Sequence, residues 1–200
     1  MFSLNPSLQS YSWGSKTLIA DLRGEESPTQ HPQAELWYGA HPAAPADIAG
    51  VPLTDIIAAD PDRELGAAVR ARFGDRLPFL LKILAVAEPL SLQAHPSLAQ
   101  AQEGFRRENA QGIDVRAGNR NYRDDNHKPE LIVALTPFHA MAGFRPLAAT
   151  LELFAALDCP SLARYVGMID STGEEAVNLR MLFTTWITIP AAVRKQLIDD

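Results

Sequence analysis

Apolar positions fall into short runs whose spacing changes along the chain. Residues 77–86, Leu-Pro-Phe-Leu-Leu-Lys-Ile-Leu-Ala-Val, are nearly all apolar and predict a buried strand or strand pair. Glu88-Pro89 marks a turn, and residues 90–95 resume an extended pattern. Alternate side chains of a strand point to one face, so Ser91, Gln93 and His95 are expected to project together. Pro96 ends that strand and opens a helix. Earlier, Ala34-Glu35-Leu36-Trp37-Tyr38 alternates, with Leu36 and Tyr38 on one face and Glu35 and Trp37 on the other. Residues 131–135, Leu-Ile-Val-Ala-Leu, predict another strand, which Thr136-Pro137 breaks before a further one over residues 138–144.

Helical spacing takes over elsewhere. Residues 52–74 read as two helical pieces: Asp60-Pro61-Asp62 supplies an N-cap, a first-turn proline and an early acid, and Gly74 supplies a stop. Leu65, Val69 and Phe73 recur every four residues and form one apolar stripe. After Pro96, Leu98, Ala101 and Phe105 share a side of the next helix. Residues 1–20 hold two short extended pieces around Tyr11-Ser12-Trp13-Gly14, in which Trp13 either covers a pocket or plugs one end of the core. Residues 24–33 and 42–50 are loops. Residues 108–126 are polar, contain two glycines and carry Arg116, Arg120 and Arg123, predicting a long surface loop. It either reaches over the site, with arginines for a phosphate, or is a solvated insertion. From Arg145-Pro146 onward the spacing is helical, with Leu147, Leu151 and Phe154, then residues 174–186 and 190–198. The expected division is therefore residues 1–145, mixing strands and helices, and residues 146–200, helical.

A hydrophobic fraction of 46% with 21% charged residues is that of an ordinary globular protein, so a sizeable core is affordable in 200 residues. The net charge of −6 argues against nucleic acid and anionic membranes as partners. A lone cysteine, Cys159, excludes an intrachain disulfide and a Cys-rich zinc site, and fits a reducing compartment. With no signal-like start and no apolar run of the roughly 20 residues that cross a bilayer, a cytoplasmic location is expected.

Three polar side chains on one face of an otherwise apolar strand need partners, and a metal ion is one way to satisfy them. Gln93-x-His95 and the later Glu130 supply amide, imidazole and carboxylate donors that suit zinc and neighbouring divalent metals. Taken alone that pattern is also met by a hydrogen-bonded structural histidine, and Glu35 alone by a solvated acid.

Ser91-Leu92-Gln93-Ala94-His95-Pro96 and Asp125-Asn126-His127-Lys128-Pro129-Glu130 together resemble the type I mannose-6-phosphate isomerases. Tyr11-Ser12-Trp13-Gly14, residues 34–42 and Leu77-Pro78-Phe79-Leu80 resemble that family in the same order, over residues 5–155 in all. The resemblance implies a mixed α+β chain: a cupin-like jelly-roll β-barrel part, incomplete here, followed by the start of an α-helical domain. It implies one zinc ion, held by Gln93, His95 and Glu130 as three of the family's four ligands. It places Trp13, Glu35, Ser91 and Lys128 around the substrate, a small phosphosugar. The reaction it implies is an aldose–ketose isomerisation between mannose 6-phosphate and fructose 6-phosphate through an enediol. Lys128 then either shuttles protons or stays charged and stabilises an oxyanion; outside that role it is a surface lysine paired with Asp124 or Asp125. His127 orients a ligand or sits in a turn, and His31, His41 and His139 read as structural. A monomer is expected.

The chain stops at Asp200, whereas the family's fourth ligand, catalytic arginine and much of its phosphate recognition lie further on. The expectation is a fragment that binds zinc weakly and isomerises poorly or not at all. The competing class is a non-catalytic cupin-like module that binds metal or sugar; a truncated product without independent activity is the third.

Overall fold

The computed structural model describes residues 3–170 and 172–200, a mixture of helices and two small sheets. Contacts divide the chain into two compact units, Met1–Pro129 and Glu130–Asp200.

The first unit is organised by the central strand of a three-stranded antiparallel sheet. Strand β1 (Ser7–Gln9) pairs with β2 (Glu35–Tyr38), and β2 with β5 (Leu81–Leu84). The alternation read from residues 34–38 holds. Leu36 packs with Ile19 and Ala85, with Tyr38 and Ile83 against them, while Glu35 and Trp37 face the other way. Ile19 lies on α1 (Leu18–Arg23), a helix where an extended piece was expected. The Ser15 hydroxyl accepts from the Thr17 and Leu18 N–H groups and so starts that helix. Gly14 makes the packing possible: a Cβ there would lie 2.6 Å from the Ala34 Cα, backbone that cannot yield.

A two-residue hairpin joins β3 (Asp47–Ile48) to β4 (Val51–Pro52) within the expected Pro/Ala loop, and Ala49 and Gly50 both take the positive φ such a turn needs. The two helical pieces follow as read, α2 (Leu53–Ala59) and α3 (Pro61–Phe73), with the Asp60 side chain accepting from the Arg63 N–H. Gly66 interrupts α3 with φ 77°, so the four-residue stripe does not form one continuous face. Helix α4 (Leu98–Ala110) begins with a reciprocal cap between Ser97 and Gln100 and buries Ala101 and Gly104. Gly104 lets the Tyr122 ring approach, since a Cβ would meet it at 2.4 Å.

The arginine-bearing segment is corrected. Arg120 is buried: its guanidinium pairs with Glu108 at 3.1 Å and donates to the carbonyls of Tyr122 and Ile113 and to Asn109 Oδ1. A group with so many acceptors clamps the segment onto α4 and does not reach for a phosphate. Glu108 in turn accepts from the Tyr122 N–H, which with Asn121 and Arg120 keeps its carboxyl below the ordinary range against the effect of burial. Its stability is therefore present above the unfolded carboxylate pKa, near about 4, and lost as pH falls through the folded value. His41, described below, acts with the same sign, because burial lowers its pKa and the unfolded chain gains a proton first. The melting temperature of the chain should accordingly fall as the pH drops from about 6.5 toward about 3, and Glu108→Gln should flatten the acid end. A melting temperature that rises on acidification would contradict it.

Four predicted strands differ from expectation. Residues 77–80 stay irregular, Leu81–Leu84 pairs with β2, and beyond it Val86 makes a single bridge to Gly14. Residues 90–95 are exposed and form no ladder among the described residues, and neither do residues 131–135 or 138–144. Leu131 is 91% exposed and Met141 89%. Aliphatic composition favours a strand only where a neighbouring strand takes up its backbone groups, and no closed barrel is formed among the described residues.

The second unit is helical from Leu147: α5 (Leu147–Leu157), a 3₁₀ turn (Pro160–Leu162), α6 (Ala163–Val166), α7 (Glu175–Thr188) and α8 (Ala191–Asp199). Pro190 forces Ile189 into extended backbone, and α7 and α8 meet at a bend of 108°. Buried Asn178 bonds both the N–H and the C=O of Asp170, latching the segment before α7. Trp186 packs against Phe154 and Tyr165, with ring centroids 5.3 and 6.0 Å apart. No single helix among the described residues is long and apolar enough to cross a membrane.

Candidate functional site

Strand register builds the site. In β2 the period of two puts Glu35 and Trp37 on the face away from the core, and the pairing Trp37↔Lys82 sets the β5 lysine directly across from the indole. Tyr11, Trp13, Leu90, Ser91 and Gln93 complete a cleft of about 270 Å³. Trp13 is fixed from behind, because its carbonyl accepts from the N–H groups of Ala87 and Glu88, and its ring stacks on Tyr11 at 5.5 Å.

Glu35 is only 7% exposed, and Trp37 Nε1–H donates to its Oε2 at 2.6 Å. Lys82 Nζ stands 3.8 Å from the other carboxylate oxygen and 5.0 Å from the Trp37 ring centroid. Burial first, then the Glu35 charge, raises the Tyr11 pKa, so the phenol keeps its proton and remains a donor. His41 packs edge-on against Trp37 at 4.8 Å. Burial and then the Lys82 charge lower its pKa, with Lys128 adding and Asp124 opposing. Its Nδ1 accepts from the Ala43 N–H, as a neutral ring can.

Of the residues named from sequence, Trp13, Glu35, Ser91 and Gln93 line this one cleft. His95 Nδ1 lies 2.6 Å from the Lys128 carbonyl. A carbonyl only accepts, so Nδ1 is the protonated, donating nitrogen of the pair. That is the arrangement in which an outer partner orients a metal-ligating histidine. With an amide oxygen from Gln93 and a carboxylate from Glu130, the donor types fit a divalent metal such as zinc. Glu130 belongs to the second unit and Gln93 and His95 to the first. The Lys128 ammonium bonds Asp124 at 2.7 Å, one of the two partners read from sequence. Burial pushes the Asp124 carboxyl up, but the bonds from Lys128 and from the Asn126 N–H outweigh it and hold the pKa below its usual value.

Sequence reading missed Lys82, Tyr11 and the part taken by Trp37 and His41. The available signal was a single cation inside the apolar run of residues 77–86, on the same parity as the cleft face. Choosing its partner needs the register, which is not local.

The family model for the catalytic domain of type I phosphomannose isomerase matches residues 1–147. The mannose-6-phosphate isomerase of Escherichia coli K12 is 46% identical over 178 residues, covering 86% of this chain and 45% of that protein. The human mannose-6-phosphate isomerase is 38% identical over 160 residues, covering 74% of this chain and 35% of that protein. The solved mannose 6-phosphate isomerase of Salmonella typhimurium bound to substrate (fructose 6-phosphate) and zinc superposes with a TM-score of 0.85 at 40% identity, covering all of this chain and 51% of that one. The likeness defines the class: a sugar-phosphate isomerase fold. The chain belongs to the type I phosphomannose isomerase family. It spans about half the length of the relatives it matches, or less.

Proposed function

We propose that this chain supplies the metal-holding and sugar-binding part of a zinc-dependent isomerase that interconverts mannose 6-phosphate and fructose 6-phosphate. The proposed architecture is a cupin-like jelly-roll part over residues 1–145 followed by the start of a helical domain over residues 146–200. The observation that carries the function is that Trp13, Glu35, Ser91 and Gln93, scattered over eighty positions of sequence, meet in one cleft beside Lys82.

Gln93, His95 and Glu130 would hold the zinc ion, which supplies polarisation of a bound carbonyl and its neighbouring hydroxyl. Tyr11, as a protonated phenol, donates to a sugar oxygen. Trp13 and Trp37 offer ring faces to the apolar side of the sugar and keep bulk water from it. Lys82 and Lys128 are the cations for an anionic ligand and for charge developing on oxygen as a proton moves between adjacent carbons of an enediol. Lys128, held by Asp124, is the proposed proton carrier.

A coupled assay with mannose 6-phosphate, with and without chelator, tests the reading. At most weak, chelator-sensitive formation of fructose 6-phosphate is expected from this chain, and full turnover only with the downstream part of the family's chain present; zinc and phosphosugar bound without turnover even then would instead mark a binding module. Lys128→Ala should remove most turnover, of the order of a 100-fold loss or more, while sparing zinc, since its backbone carbonyl still serves His95. A near-normal kcat would end the assigned role.

A further inference from the structure

We infer that Trp37 is a positioning residue, fixing Glu35 and Lys82 relative to each other so that the lysine charge is presented to an anionic sugar ligand. The inference rests on the phosphosugar reading for the identity of that ligand, and on the cleft alone for the positioning.

Three contacts meet at this one indole. Its Nε1–H donates to Glu35 Oε2 at 2.6 Å. Its ring face lies 5.0 Å from Lys82 Nζ, and its edge meets His41 at 4.8 Å. Glu35 sits at 7% exposure and needs a partner for each oxygen, because an unpartnered buried carboxylate is costly. The indole satisfies one oxygen with a charge-assisted bond. The other faces Lys82 at 3.8 Å, beyond hydrogen-bond distance, so attraction holds the ammonium near without a direct N–H···O bond to Glu35.

Sequence and register make this arrangement rigid. Residues i and i+2 of β2 share a face, which brings Glu35 beneath the indole, and the pairing Trp37↔Lys82 puts the cation across the ladder from it. All three side chains thus stand on paired strands, whereas Ser91 and Gln93 stand on a segment without ladder bonds. The strand face fixes the charge, and the unpaired segment lies alongside it.

The test uses the full chain in three forms, native, Trp37→Phe and Glu35→Gln. Trp37→Phe keeps an aromatic face for Lys82 and removes the N–H. In ¹H–¹⁵N spectra the native Trp37 indole proton should lie well downfield of those of Trp13 and Trp186, and should move upfield in Glu35→Gln, which leaves a neutral acceptor. Fructose 6-phosphate affinity should fall about tenfold in Trp37→Phe, the equivalent of one hydrogen bond to a charged group, with the melting temperature lowered by a few degrees as Glu35 loses its donor. Affinity equal to native, or an indole proton indifferent to Glu35→Gln, overturns the inference. If the native chain binds no fructose 6-phosphate, the substrate reading fails, and the indole resonance alone then decides the positioning.

Discussion

Replacing His95 with alanine is expected to lower zinc affinity by about 100-fold or more, because loss of an outer-shell partner alone typically costs 10–100-fold and here the proposed ligand itself is removed. The Nδ1–H donates to the Lys128 carbonyl and aims the ring, so Nε2 would be the atom offered to zinc in the proposed site. Competition against a chromophoric chelator measures the change. Lys128→Ala is the control, since it keeps the carbonyl and should leave affinity near native. A His95→Ala chain that holds zinc as tightly as the native one would remove His95 from the ligand set.

Leu36→Ala is expected to cost about 2–5 kcal/mol of stability, read as a lower denaturant midpoint at unchanged slope. Leu36 is 1% exposed, lies on the central strand between Leu8 of β1 and Ile83 of β5, and packs against Ile19 and Ala85. Those neighbours belong to paired strands and a helix, so the vacated space cannot collapse cheaply. Leu36→Met, which nearly conserves volume, should cost less than about 1.5 kcal/mol. Equal effects from the two would show that the site relaxes and that the packing is not tight.

Local chemistry explains what was legible in the sequence. The period of two in residues 34–38 separates Leu36 and Tyr38 from Glu35 and Trp37, because a strand has two faces whatever its neighbours. Asp60-Pro61 and Gly74 bound α3 for the same kind of reason, each acting within one turn. What failed was non-local. Residues 131–135 have strand composition, yet a strand exists only with a partner to take its N–H and C=O groups. Arg120 stands in a polar, glycine-containing stretch that reads as solvated, and only the fold brings Glu108, Asn109 and Ile113 around its guanidinium. Lys82 was visible as an oddity in an apolar run, but its place in the cleft depends on the β2–β5 register. The motif residues carried the family; the strand pairing supplied the surroundings that motif reading leaves out.

The three indoles give the protein two built-in optical reporters. Trp13 and Trp37 line the cleft, whereas Trp186 sits among Phe154 and Tyr165 in the helical unit. With Trp13 and Trp37 changed to phenylalanine, the remaining emission follows the helices alone; with Trp186 changed instead, it follows the cleft. Denaturation curves recorded on the two proteins therefore time the loss of each unit separately, without an extrinsic dye.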